Sequence, residues 1–200
     1  MTTAVERQTM VIPANCVRGP KQGDWTYNHY AALPDDGQRY EIVAGVLYIS
    51  PSLNNAHQDA VLWIAHYLQI HVRITRLGRV YMAPFDVELL PKFVVQPDVI
   101  VLLNSSLEKL TSSRIIGAPD LVVEVSSPST MGYDHREKQD AYACAGVPEY
   151  WIAAPTSRTM EVLILEGKQY QSLGIFSGQA TLRSKVVPSI AEIPVEQFFG

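Results

Sequence analysis

Apolar residues recur along this chain with two different periods, and each change of period marks an element. Over residues 57–77, Val61, Ala65, Leu68 and Val72 keep the helical spacing and form one apolar stripe. Trp63, Tyr67, Ile70 and Ile74 form a second stripe on another face of the same predicted helix. A surface helix of a small domain needs only one such stripe. Two imply either a helix sandwiched inside the core or a helix whose second face meets another copy of the chain. Before it, the runs 40–43 and 46–50 predict two strands joined by Ala44-Gly45, a two-residue hairpin. Asp24 is placed to cap a short helix starting at Trp25, which stops before Pro34 and turns at Asp35-Asp36-Gly37.

Beyond residue 80 the pattern becomes that of strands: 85–90, 94–103 with Pro97 near its start, 121–126, 150–153, 160–165 and 169–173. A short helix over 105–110 and a longer one over 134–145 interrupt them. Asp134 and Glu137 stand at capping-box spacing at the start of the longer helix, and Gly146 follows its end. The mixture predicts one α/β or α+β domain, a central sheet with helices on its faces. Residues 1–23, with Pro13, Gly19, Pro20 and no periodicity, predict an irregular, loosely packed arm; residues 24–200 form the domain.

Composition narrows function more than fold. Of 200 residues, 47% are hydrophobic, enough for a substantial core. The 16 basic and 20 acidic side chains leave a net charge of -4, so phosphate binding needs a local patch or a metal. No apolar run approaches the roughly 20 residues of a membrane span, and MTTAVERQTM lacks the pattern of an export signal. Cys16 and Cys144 do not make a disulfide framework, and the cytoplasm is the expected location. No Walker loop, GxGxxG, HExxH or CxxC occurs. At about 100° per residue, His57 and His66 point to opposite sides of the helix and His66 and His71 differ by about 140°, so a helix-borne zinc site is a poor reading.

Isolated acids carry the chemical signal. Leu121-Val122-Val123-Glu124-Val125 is a strand core with one charge inside it. Glu124 is either an edge-strand acid in water or a buried acid that needs a partner or a metal. Asp98 sits likewise beside the apolar run that follows Pro97, where the alternative is a turn or cap acid. If their strands are neighbours, Asp98, Glu124 and the carbonyl of Val125 suit a hard divalent cation. Lys138 shares a helix face with Asp134 and Tyr142, and either pairs with Asp134 in solvent or reaches a scissile phosphate. Glu41, on the first strand, and His57, at the start of the long helix, complete the candidate set.

These residues, in this order, resemble the Uma-two family of restriction-endonuclease-like proteins. The resemblance is carried by Tyr40-Glu41-Ile42-Val43-Ala44-Gly45, Ser50-Pro51, His57-Gln58, Gln96-Pro97-Asp98-Val99 and Pro119-Asp120-Leu121-Val122-Val123-Glu124-Val125. It continues through Ser127-Pro128-Ser129-Thr130, Asp134, Lys138, Tyr142 and Gly146-Val147-Pro148-Glu149-Tyr150-Trp151-Ile152. It implies the α/β, restriction-endonuclease-like fold of the PD-(D/E)-x-K nucleases, a central mixed sheet flanked by helices. Carried over, Asp98 and Glu124 are the metal ligands. Asp120 repeats the text of the motif but lies too close to Glu124 along one strand to partner it. Ser126 occupies the standard lysine position, which makes Lys138 the relocated lysine. Glu41 takes the place of the early acid that adds a ligand or orients a water, and His57 that of the family's histidine. Ala44 replaces the acid usual before the hairpin glycine, and Ala153-Ala154-Pro155 replaces a Val-Asp-Pro ending. Neither change removes a ligand.

The resemblance thus implies an endonuclease that hydrolyses DNA phosphodiester bonds with Mg²⁺ or Mn²⁺. Arg73, Arg76 and Arg79 form the only dense basic cluster in the sequence, so DNA binding is expected to be weak and salt-sensitive. The bland reading of that cluster is a solvated helix end favoured by the helix dipole. A homodimer through the second stripe is the expected assembly, with no membrane partner. Two other functions suit the same fold: a non-catalytic nucleic-acid-binding or dimeric scaffold, and a hydrolase of small phosphodiesters.

Overall fold

Pro97 divides the longest predicted strand, 94–103, because proline has no N–H to give to a ladder. The structure is a computed structural model that describes residues 11–50, 54–126 and 131–200, with the backbone alone at 131, 134 and 135. In it Gln96-Pro97-Asp98 lies outside the strands, and the segments on either side join different sheets. The single central sheet expected from the sequence is therefore two sheets, each six-stranded and mixed.

The first sheet contains β1 (Ile12–Pro13), β2 (Arg39–Val43), β3 (Val46–Ser50), β5 (Asp86–Leu90), β6 (Phe93–Val95) and β8 (Arg114–Ile116), in the order β1-β3-β2-β6-β5-β8. The second contains β4 (Gly78–Met82), β7 (Val99–Leu103), β9 (Leu121–Val125), β10 (Glu149–Ala154), β11 (Thr159–Glu166) and β12 (Gln169–Ser177), in the order β12-β11-β10-β9-β7-β4. Only β5 with β8 and β9 with β10 run parallel among the described strands. Strand alternation assigns the faces of the second sheet. Val99, Val101, Val123, Val125 and Trp151 pack toward α2 (Asn55–Leu68) and the C-terminal turns. Ile100, Leu102, Val122, Tyr150 and Ile152 pack toward the first sheet and α3, the helical segment 131–145. Both faces of β9 are covered, which explains its unbroken apolar run. Glu124 on this interior strand is 2% exposed, which overturns its reading as an edge acid in water.

Several local expectations change for packing reasons. Trp25 does not start a helix. Its N–H bonds the carbonyl of Gly45 and its ring is buried, so α1 is delayed to Tyr27–Tyr30 with Thr26 as N-cap. The arm is not loose over its described part: β1 pairs with β3, and Ala14 is buried in the same cluster as Trp25. Asp134 is not an N-cap, because helical backbone begins at Met131 and Tyr133 is already helical. Buried Tyr133 packs that extra turn against Tyr48, 5.0 Å between ring centroids. The side chain of Asp134, residues 1–10, Pro51 and Ser127-Pro128-Ser129-Thr130 lie outside the described residues. The long helix is α only to Leu68 and continues as a wider π turn, Gln69–Ile74. Its second stripe divides. Tyr67 packs on Phe198 (5.3 Å) within the chain, whereas Trp63 and Ile74 are 38% and 73% exposed. Among the described residues no helix is long and apolar enough to cross a membrane.

The β2–β3 hairpin turns through Ala44 and Gly45, both at positive φ (51° and 75°), the geometry of a two-residue primed turn. A Cβ on Gly45 would lie 2.2 Å from the carbonyl oxygen of Gly23, a backbone atom that cannot swing aside. Gly37 has the same φ of 75° with nothing within 4 Å of its Cβ position. Gly45→Ala is therefore expected to cost about 3 kcal/mol and Gly37→Ala only about 1 kcal/mol, read from urea unfolding midpoints. Equal losses would show that the close approach to Gly23 is not a constraint.

Candidate active site

Alternation along β2 sends Tyr40 and Ile42 into the cluster around Trp25 and turns Arg39 and Glu41 to the opposite face, between the sheets. Glu124 shares with Val122 the face of β9 that meets α3. Lys138 and Tyr142 stand one turn apart on α3 and so reach the same carboxylate. Lys138 ends a π turn, Asp134–Lys138, a widened turn often found at functional sites. Asp98 leaves the Pro97 break just before β7. His57 sits in the first turn of α2, where Asn54 Oδ1 accepts from its backbone N–H (2.9 Å).

From these separate elements the side chains converge. Lys138 Nζ lies 2.9 Å from Glu124 Oε1 and 3.0 Å from Glu41 Oε1. Tyr142 donates its hydroxyl to Glu124 Oε1 at 2.5 Å. Arg39 spans Asp98 Oδ1 (3.1 Å) and Glu41 Oε1 (3.6 Å), and also donates to the carbonyl of Gln96. Asp98 Oδ2 accepts the Val125 N–H (2.8 Å) and lies 3.1 Å from His57 Nε2. Glu41 Oε1 further accepts the Gln96 N–H (2.9 Å). All five sequence candidates are thus in one cluster, and each is at most 4% exposed. Asp120 lies apart: it accepts from the Leu103 N–H (2.7 Å) and the Ser106 hydroxyl (3.0 Å), tying β7 to the turn that follows.

Charge balance holds the cluster together. Burial opposes ionisation of Asp98, but Arg39, then His57 and Lys138, overcome it and keep its carboxyl well below the ordinary value of 3.8. Burial likewise opposes the charge on Arg39, yet Glu41, Asp98 and Glu124 hold the guanidinium protonated. Burial, then the charge of Glu124, pushes the Tyr142 phenol well above 10.0, so it remains a neutral donor.

Hard oxygen ligands are present, but cations already engage them. Among the described residues no three His, Cys, Asp or Glu side chains stand preformed as a metal cage. Arg39 and Lys138 pair with the carboxylates that a divalent ion would use. The donor set nonetheless fits such an ion. Glu41 Oε2 is buried without a hydrogen-bond partner. The carbonyl of Val125 leaves β9 on the same side as its N–H, toward Asp98. Sequence reasoning missed Arg39 and gave Tyr142 no role. Arg39 was legible: a strand that turns Glu41 inward turns residue 39 inward too.

The comparisons with known proteins agree with this architecture. The profile of the Uma2 family, described as "Putative restriction endonuclease", matches residues 27–196. No curated protein matches the chain. Among solved structures, a crystal structure described as a putative nuclease belonging to DUF820 from Anabaena variabilis superimposes with a TM-score of 0.71. It is 18% identical, and the match covers 88% of this chain and 97% of that one. This likeness shows that the two chains share one fold.

A depressed folded-state pKa stabilises the protein above the unfolded value and loses that contribution as pH falls. Asp98 therefore contributes fully above about pH 4 and progressively less below it. Without added metal, Asp98→Asn is expected to lose about 3 kcal/mol at pH 7, because Arg39 and His57 lose their anion. Its unfolding midpoint in urea should then vary less than wild type between pH 4 and pH 2. An unchanged slope would mean that Asp98 is not held ionised by these neighbours.

Proposed function

We propose that this chain, which belongs to the Uma2 family, is a metal-dependent endonuclease whose active centre is the buried cluster of Glu41, Asp98, Glu124 and Lys138. One observation carries the reading. Acids from β2, the Pro97 break and β9 meet Lys138 in the interior, with one carboxylate oxygen of Glu41 unpartnered. Buried charge is expensive, and a scaffold has no use for three acids in one place.

Asp98, Glu124 and the Val125 carbonyl would hold Mg²⁺ or Mn²⁺, with Glu41 as a further oxygen ligand. Such an ion supplies Lewis-acid chemistry, polarising the phosphate and lowering the pKa of nearby water. Lys138 orients the attacking water and offsets negative charge growing on the phosphate. Tyr142 fixes the carboxylate plane of Glu124, and His57 and Arg39 position Asp98. In the reaction a water oxygen bonds to phosphorus, the bond to the leaving sugar oxygen breaks, and the water's proton is passed on so that the leaving oxygen ends as a hydroxyl.

DNA is the proposed substrate. Arg73, Arg76 and Arg79 are exposed, but Arg73 lies along the long helix from His57 by about 24 Å at 1.5 Å per residue. Phosphates bound there would belong to duplex about seven base pairs from the cut. That favours a salt-sensitive anchor distinct from the cleavage site. The exposed side of α2 at Trp63 and Ile74 is the proposed contact with a second copy.

Wild type is expected to cleave DNA with Mg²⁺ or Mn²⁺, measured on duplex, single-stranded and branched substrates. Glu124→Ala should lose metal binding in calorimetry and all cleavage. Lys138→Ala should keep metal binding but lose at least about 100-fold in cleavage rate. If wild type cuts none of these, the scaffold reading holds; if it cuts only simple phosphodiesters, the substrate is a small molecule. Ile74→Glu, at a solvent-exposed position, should sediment as a folded monomer where wild type sediments as a dimer. Identical sedimentation of the two would place any dimer contact elsewhere.

A further inference from the structure

Beside the acids lies an open cleft of about 650 Å³, within the range of small-molecule sites. Its wall is aromatic. Tyr27 and Tyr30 of α1 line it, and Tyr27 is backed by the guanidinium of Arg114, 3.8 Å from its ring centre. Glu88 fixes that guanidinium in turn (2.8 Å), so the ring is held in place before any ligand arrives.

Its floor is made of hydrogen-bond acceptors. Tyr30 donates to Asp86 Oδ1 (2.8 Å), and Gln96 Nε2 donates to the same oxygen (2.9 Å) and to the Tyr30 hydroxyl (3.0 Å). These bonds use Asp86 Oδ1 and the amide nitrogen of Gln96. Among the described residues they leave Asp86 Oδ2 and Gln96 Oε1 available. Burial, then Asp86, raises the Tyr30 phenol far above 10.0, so it stays a donor to Asp86 and does not compete as an anion. Asp86 Oδ2 and Gln96 Oε1 attract N–H groups, and Arg39 lines the cleft between them and the acids.

Gln96 also joins the cleft to the acids. Its backbone N–H bonds Glu41, its carbonyl accepts from Arg39, and Asp98 follows two residues later, at most about 7 Å away along the chain. A ligand in the cleft therefore lies next to a phosphate at the acids.

We propose that this cleft receives one unstacked nucleobase that carries an exocyclic amine, with the ring against Tyr27 and the amine donating to Asp86. The inference rests on the nuclease reading for the identity of the ligand and deepens it. The substrate then offers an unpaired nucleotide, either single-stranded or turned out of a duplex, because a paired base cannot enter a pocket. Thymine is disfavoured, since its single ring N–H is flanked by two carbonyls that would face the acceptors of Asp86 and Gln96, whereas an exocyclic amine offers two donors and no such neighbour on its outer side.

The test uses nucleosides, which carry no phosphate, on the full chain in the presence of a metal chelator. Deoxycytidine, thymidine and deoxyribose are titrated while amide and side-chain NMR signals are followed. Deoxycytidine should shift the signals of Tyr27, Asp86 and Gln96 saturably, with thymidine about tenfold weaker and deoxyribose inert. Tyr27→Ala should weaken deoxycytidine by about tenfold, and Asp86→Asn should equalise the two nucleosides. If Tyr27→Ala does not fold, the wild-type shift map decides alone. No saturable shift at these residues, or equal shifts from all three ligands, overturns the proposal. Cleavage of DNA without nucleoside binding would remove the base site and leave the nuclease. Nucleoside binding without cleavage would retain the base site and remove the nuclease.

Discussion

The ammonium group of Lys138 is shared between Glu41 and Glu124, and the interior of this protein is arranged around that sharing. Each carboxylate comes from a different sheet, so the lysine is an electrostatic bridge between β2 and β9. Burying either carboxylate without a cation beside it would be costly, because the loss of hydration far exceeds what packing returns. Arg39 repeats the device between Glu41 and Asp98. Two cations thus hold three acids together, and Glu41 Oε2 is left without a hydrogen-bond partner among the described residues.

The break at Pro97 makes this convergence possible. A continuous strand through residue 98 would carry Asp98 along one sheet, with its side chain fixed by the pleat. Instead the chain leaves the first sheet after Val95 and enters the second at Val99. The short passage between them donates the Gln96 N–H to Glu41, accepts from Arg39 at the Gln96 carbonyl and accepts the Val125 N–H at the Asp98 carboxylate. The residue before the proline lines the cleft and the residue after it belongs to the acid cluster, so three consecutive residues join the two.

Charge is distributed unevenly over the fold. The acid cluster sets three carboxylates against the cations of Arg39 and Lys138, and the cleft beside it adds Asp86. The exposed Arg73 stands near the end of the π turn that continues α2, and exposed Arg76 and Arg79 follow it in the next turn and in β4. The exposed basic residues and the buried acids therefore lie on different parts of the fold.

Periodicity alone determined the β2–β3 hairpin, the amphipathic helix and the candidate acids, because each depends on spacing between near neighbours, but it left open whether β9 was an edge or an interior strand. Glu124 announced itself as a charge inside an apolar run, and Lys138 with Tyr142 as one helix face. Arg39 was equally legible from the alternation that turns Glu41 inward, though an arginine beside a turn looks like a surface residue until its neighbours are known. Only the tertiary structure decided that the apolar run around Pro97 feeds two sheets, that Trp25 is pulled into the core instead of opening a helix, and that half of the second helical stripe is covered by the chain's own C-terminal turns. Those outcomes depend on contacts between residues distant in sequence, where burial outweighs the weak local preferences that spacing can reveal.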